Sequence, residues 1–137
     1  MSFSTERCSD QAGLVHTVFG TVCDEDLTAM DDENIRIIRE VGQLKYVLVD
    51  YTSVTSVTVS SAVLVMLAEQ DRDRFVAGQP FTVVVTVAPG DLGFGLGRMF
   101  TANADTEDYY AVFRTRKDAE QWAQERVFEV HKHKVVF

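Results

Sequence analysis

Residues 46–68, YVLVDYTSVTSVTVSSAVLVMLA, constrain the fold more than any other part of the chain. The stretch opens on the apolar run KYVLVD, whose apolar residues serve both faces, as burial inside a parallel sheet requires. It then passes through seven Ser and Thr residues between Thr52 and Ser61 and ends in apolar residues 62–68. Hydroxyl side chains satisfy turn amides and cap helices. Residues 52–61 are therefore expected as a turn, with Ser60 or Ser61 as the N-cap of the helix that follows. That helix turns polar after Ala68, so its first half is expected against the sheet and its second half in water. Gly78 is its expected stop.

The rest of the chain falls into place around this unit. Residues 1–12 are polar and expected to be loosely held. Residues 14–22 read as a strand with a bend or bulge at Gly20, and His16 within it is expected on the solvent face. Asp24 is the expected N-cap of an amphipathic helix. Leu27, Met30, Asn34, Ile37, Ile38 and Val41 recur there at helical spacing, and Gly42 ends it. Asp24, Glu25 and Asp26 compensate the helix dipole, and Asp31, Asp32 and Glu33 read as a solvated face rather than a metal site. Residues 81–87, FTVVVTV, form another buried strand. Gly90, Gly93, Gly95 and Gly97 follow, with a helix beginning inside that segment. Residues 109–114 give the last core strand. Thr115 with Asp118 opens a helix containing Ala119, Trp122 and Ala123. Residues 128–137 read as a tail.

The strand–helix alternation predicts an α/β domain over residues 13–127, with a mainly parallel central sheet and about four helices. A chain of 137 residues matches one core. The net charge of -8, from 21 acidic against 13 basic residues, repels phosphate backbones and anionic headgroups, which argues against nucleic-acid and membrane-surface binding. The longest apolar run, residues 62–68, is too short to span a bilayer. No positive segment followed by an apolar one opens the chain, so it is expected in the cytoplasm, with Cys8 and Cys23 reduced.

VLVDYTSVTSVTVSSAVLVMLA resembles the STAS-like superfamily of sulfate-transporter and anti-sigma-factor-antagonist domains. In that family a buried strand leads through a loop to Asp-Ser-Ser-Gly at a helix start, and the second Ser is phosphorylated. Here Val59 stands for the Asp and Ala62 for the Gly, with Ser60 and Ser61 between them. The resemblance implies Ser61 as the phosphoacceptor, or Ser60 if the register slips by one. FGLGRMF and YYAVFRTRKDAEQWA are similar to an uncharacterised bacterial branch of the superfamily. Together the two matches run over residues 13–126. They imply a non-enzymatic domain that acts by binding a protein partner.

Several side chains remain as candidate sites. Asp50 ends its strand on the side where open α/β sheets bind ligands, or it serves as a turn carboxylate. The segment from Gly93 to Arg98 lacks the spacing of a dinucleotide or phosphate loop. Its Gly95 and Arg98 could hold an anion at a helix N-terminus, or the glycines could serve close packing. Trp122 and the aromatic residues Phe94, Phe100, Tyr109, Tyr110 and Phe113 could line a cavity for an apolar ligand, or simply fill the core. Ser60 and Ser61 have no Gly-x-Ser-x-Gly elbow and no placed histidine, so no hydrolase is read from them. No metal or cofactor is expected. The expected role is regulatory protein–protein interaction through the surface around Ser53, Ser60, Ser61 and Arg98. Binding of a small apolar or anionic ligand is the alternative, and a homodimer through the helix faces or residues 132–137 is a third.

Overall fold

A computed structural model of the chain describes residues 2–76, 81–104 and 109–137. Its strands are β1 (Phe3–Arg7), β2 (Gly13–Val22), β3 (Tyr46–Val57), β4 (Val83–Val87) and β5 (Tyr110–Phe113). Its helices are α1 (Asp24–Val41), α2 (Ser61–Val76), α3 (Asp91–Ala104) and α4 (Arg116–His131). The sheet runs β1-β2-β3-β4-β5, with β2 to β5 parallel and β1 antiparallel on the edge. Each parallel step is made by a helical crossover, as parallel pairing requires. Gly78 lies outside the described residues.

The period of two along β3 divides the core into two layers. Leu48 packs with Val85, Val87, Ala119 and Ala123 beneath α4. Val47, one residue away, packs with Leu14, Ile37 and Leu44 beneath α1. Full burial of an aliphatic side chain of this size is worth about 1.5–3 kcal/mol, so the two faces of β3 hold both layers together. Thr115 caps α4 by accepting a hydrogen bond from the Asp118 amide at 3.2 Å, as its sequence pattern indicates.

Five features depart from the sequence reading. First, residues 3–7 form a strand rather than a loose end, in register from Phe3 against Val18 to Arg7 against Leu14. The strand is short and polar because an edge strand needs only one covered face. Second, the Ser/Thr-rich stretch does not turn at Thr52. It continues as strand to Val57, paired with β2 through Phe19–Ser53 and Val22–Val57. Two register shifts accommodate this, one of them at Gly20, whose φ of 68° is the left-handed conformation expected at such a bulge.

Third, Cys23 rather than Asp24 is the N-cap of α1. The Asp26 carboxylate accepts the Cys23 amide at 3.0 Å and the Ser2 amide at 3.2 Å. Fourth, His16 is fully buried, not solvent-facing. Fifth, residues 128–131 belong to α4, and the residues after them dock on the chain itself. Val135 is buried in a cluster with Cys8 and Tyr46. Asp10 Oδ2 accepts from the Tyr46 hydroxyl at 2.5 Å, from His133 Nε2 at 2.9 Å and from the Val136 amide at 3.2 Å. Burial alone would raise the Asp10 pKa. The hydrogen bonds from His133, Tyr46 and the Ala12 and Val136 amides outweigh it and hold the carboxyl below its ordinary value.

Candidate functional site

The N-terminal half of α2 is apolar, yet it does not lie flat on the sheet. α2 packs mainly on α3, and a cavity of about 870 Å³ opens between the sheet and helices α1 to α3. Val47, Val49 and Val84 form its floor, Met30 and Phe100 stand at its sides, and Leu64 hangs from its roof. Small-molecule sites have volumes of about 300–1,000 Å³ and are mostly apolar with a few placed polar groups. This cavity meets both criteria.

The polar groups around it are mostly spoken for. His16 Nε2 lies 2.7 Å from Asn34 Oδ1, and Nδ1 lies 2.8 Å from the Thr5 hydroxyl. Because the Asn34 oxygen can only accept, Nε2 carries the proton and Nδ1 accepts from Thr5. Burial holds the His16 pKa below its ordinary value, against smaller opposing effects of Asn34 and Glu33. The Tyr110 hydroxyl donates to Asp71 at 2.6 Å. The Thr55, Ser56 and Thr86 hydroxyls make no hydrogen bond among the described residues, and neither do two larger groups. Tyr51 lines the cavity from β3 and its hydroxyl makes no hydrogen bond among the described residues. Burial, with the nearby Asp26 carboxylate, raises its pKa. Gln43 lines the opposite end, and its amide nitrogen is buried without a partner.

The residues singled out from sequence are not gathered in one place. Asp50 lies inside β3 rather than at its end or in a turn, and its carboxylate is bonded within the chain. Its Oδ1 accepts from the Thr52 amide at 2.8 Å and the Thr52 hydroxyl at 2.5 Å, while Arg116 holds Oδ2 at 3.0 Å. Burial would raise the Asp50 pKa, but these bonds lower it. Ser53 is an exposed strand residue. Gly95 and Arg98 lie in the middle of α3, which begins at Asp91, so they do not form a loop of free helix-terminal amides. Of the glycines, Gly97 serves close packing, since a Cβ there would stand 2.9 Å from Val112 Cγ2, whereas one at Gly95 would meet nothing. Trp122 is on α4, beneath the other face of the sheet, 6.0 Å from the Phe113 ring. It therefore shares no cavity with Phe94 and Arg98.

Ser60 and Ser61 stand at the α2 N-terminus, both exposed. Ser60 Oγ accepts from the Val63 amide at 3.3 Å, which makes it the cap. Its own amide donates to Asp24 Oδ1 at 2.7 Å. A carboxylate from α1 thus occupies one of the amides that a phosphate there would use. The histidines are engaged elsewhere: His16 with Thr5 and Asn34, His131 with the Phe81 carbonyl, and His133 with Asp10. Among the described residues no cluster of three or more His, Cys, Asp or Glu could hold a metal ion. No described helix is long and apolar enough to cross a membrane.

No protein-family model matches the sequence, and no curated protein matches it. Solved structures do. An uncharacterised protein with a SpoIIAA-like fold from Shewanella loihica is 20% identical, with 88% of this chain and 91% of that one covered at a TM-score of 0.51. The anti-sigma factor antagonist SpoIIAA in its unphosphorylated form is 11% identical, with 87% and 94% covered at 0.52. The Bacillus cell fate determinant SpoIIAA in its phosphorylated form is 16% identical, with 87% and 96% covered at 0.52. The fold is SpoIIAA-like. The expected STAS-like fold is thereby shown, as a mixed five-stranded sheet with four helices among the described residues.

Tyr51, Gln43 and Asp24 are the site residues that sequence reasoning missed. Tyr51 could have been found from the alternation of β3, because Val47, Val49 and Tyr51 share one face. For Gln43 no sequence signal exists, since nothing in its neighbours marks an unpaired amide.

Proposed function

We propose that this SpoIIAA-like domain is a non-catalytic regulatory module that takes up a small apolar ligand. The observation that carries the reading is the 870 Å³ cavity between the sheet and α1 to α3. Native interiors are close-packed, and voids larger than a few water molecules are rare in them. An apolar space of this size is therefore better explained as a binding site than as a packing fault. The site differs from the one expected around Phe94, Arg98 and Trp122, because none of those three lines it and α3 borders it instead through Leu96, Gly97 and Phe100. Native and denatured mass spectra of protein purified from its own cells test the reading. Extra mass seen only in the native spectrum supports it. Bare protein in both spectra, with no thermal stabilisation by an apolar ligand panel, would sink it.

A second reading concerns the start of α2. Ser61, Ala62 and Met66 are exposed there, Met66 at 42%. An apolar patch with a polar rim suits a protein partner. Phosphorylation of Ser60 or Ser61 would place about two negative charges beside Asp24, so modification would act by repulsion between α1 and α2. Met66→Glu should abolish partner binding at unchanged stability. Retained binding would dismiss this surface. Residues 132–137 dock on their own chain through Val135 and His133, which weighs against a homodimer through that tail.

A further inference from the structure

The unmet hydrogen-bonding capacity of the cavity defines its ligand more closely than its apolar walls do. Most of its polar side chains are satisfied within the protein. His16 is bonded to Thr5 and Asn34, Tyr110 donates to Asp71, and Thr82 and Thr101 donate to the Leu44 and Gly97 carbonyls. Among the described residues the Thr86 hydroxyl and the exposed Thr55 and Ser56 hydroxyls make no hydrogen bond, and two further donors stand apart from them: the Tyr51 hydroxyl, also without a hydrogen bond, and the Gln43 amide nitrogen, which is buried with no partner. The Gln43 nitrogen is costly to bury without an acceptor, and the half-buried Tyr51 hydroxyl is free to donate, so a ligand that supplies an acceptor gains a hydrogen bond in the cavity.

Charge removes the other obvious ligand class. The described lining residues include Asp31, Asp71 and Asp91 but no Lys or Arg. Asp26 adds a negative field at Tyr51. A carboxylate or phosphate headgroup would enter without a counter-charge, and an unpaired buried anion is strongly disfavoured. This argues against the anionic half of the ligand class expected from sequence. Shape adds the last constraint. Tyr51 lies five residues along β3 from its start, about 16 Å by strand rise, and Gln43 precedes that start. The two donors therefore sit at opposite ends of a long floor.

From this we infer that the cavity takes an uncharged, elongated apolar molecule ending in a hydrogen-bond acceptor, such as an ester or ketone carbonyl, which the Tyr51 hydroxyl meets. This rests on the ligand-binding reading above.

Three probes of equal chain length, delivered from cyclodextrin at pH 8, test it: methyl palmitate, palmitate and hexadecane. Methyl palmitate should bind tightest, and palmitate should be weakened by its charge. Tyr51→Phe, which removes no hydrogen bond of the folded protein, should keep the native melting temperature. It should weaken methyl palmitate about fivefold, the worth of one neutral hydrogen bond, and leave hexadecane unchanged. Palmitate binding as tightly as the ester, or an ester affinity unaffected by Tyr51→Phe, overturns this inference while leaving the cavity a ligand site. Failure of all three probes to bind overturns both readings.

Discussion

The burial of His16 makes a prediction that a pH series can check. His16 has no solvent exposure and both ring nitrogens are bonded, to Thr5 and to Asn34. His16→Gln should therefore destabilise the domain by about 1–3 kcal/mol at pH 8, the cost of leaving a buried polar group without its partner. Against a typical domain stability of about 5–15 kcal/mol this is readily measured by urea unfolding.

The sign of the pH dependence follows from the lowered pKa. Folding keeps His16 neutral, whereas in the unfolded chain it titrates near its ordinary value of about 6.5. Above that pH both states are neutral and the His16 contribution is fully present. As the pH falls below it, the unfolded chain gains a proton that the folded protein resists. Stability then drops by at most about 1.4 kcal/mol per pH unit until the folded pKa is passed. His131 is also held down by burial and acts in the same window. The difference between wild type and His16→Gln therefore isolates His16. That difference should shrink from pH 7.5 to pH 5. Parallel profiles across the window would refute the neutral, buried assignment.

Three further outcomes are expected. Ser60→Ala should cost about 1 kcal/mol by urea unfolding, because Ser60 caps the Val63 amide, whereas Ser61→Ala should leave stability unchanged. Gly95→Ala should stabilise α3 by about 0.5–1 kcal/mol, since the new Cβ meets nothing, while Gly97→Ala should lower the melting temperature by pressing on Val112. Tyr46→Phe should destabilise by about 1–2 kcal/mol, because it withdraws a hydrogen bond from the Asp10 carboxylate that ties the two chain ends together. An unchanged urea midpoint would show that His133 and the Ala12 and Val136 amides suffice.

What the residues disclosed beforehand, and what they did not, divides along physical lines. The alternation of strands and helices, the Thr115 cap and the Gly20 bulge depend on neighbours in sequence, and all were legible. Thr52 to Val57 was misread because hydroxyl residues suit both turns and exposed strands. Only pairing with the far end of β2, set by a distant register, chose between them. His16 was misread because its two partners lie on β1 and α1, 11 and 18 residues away. Arg98 and Trp122 seemed neighbours because both sit near aromatic residues in the last third of the chain. The sheet separates them, and which face each crossover helix takes is a property of topology.

The cavity is the hardest case, and the most instructive. The apolar residues of α2 predicted a helix pressed against the sheet, and Leu64, Leu67 and Ala68 are indeed buried. Yet side chains of the same type line a close-packed core and a cavity. What differs is the spacing between layers, and here α2 leans on α3 rather than settling on β3 and β4. Gly97 lets α3 close against Val112 of β5. One small residue thus draws α3 onto the sheet, while the helix that packs on its other side is held away from it. Interlayer distance is written in such pairwise approaches, and composition or periodicity does not carry them.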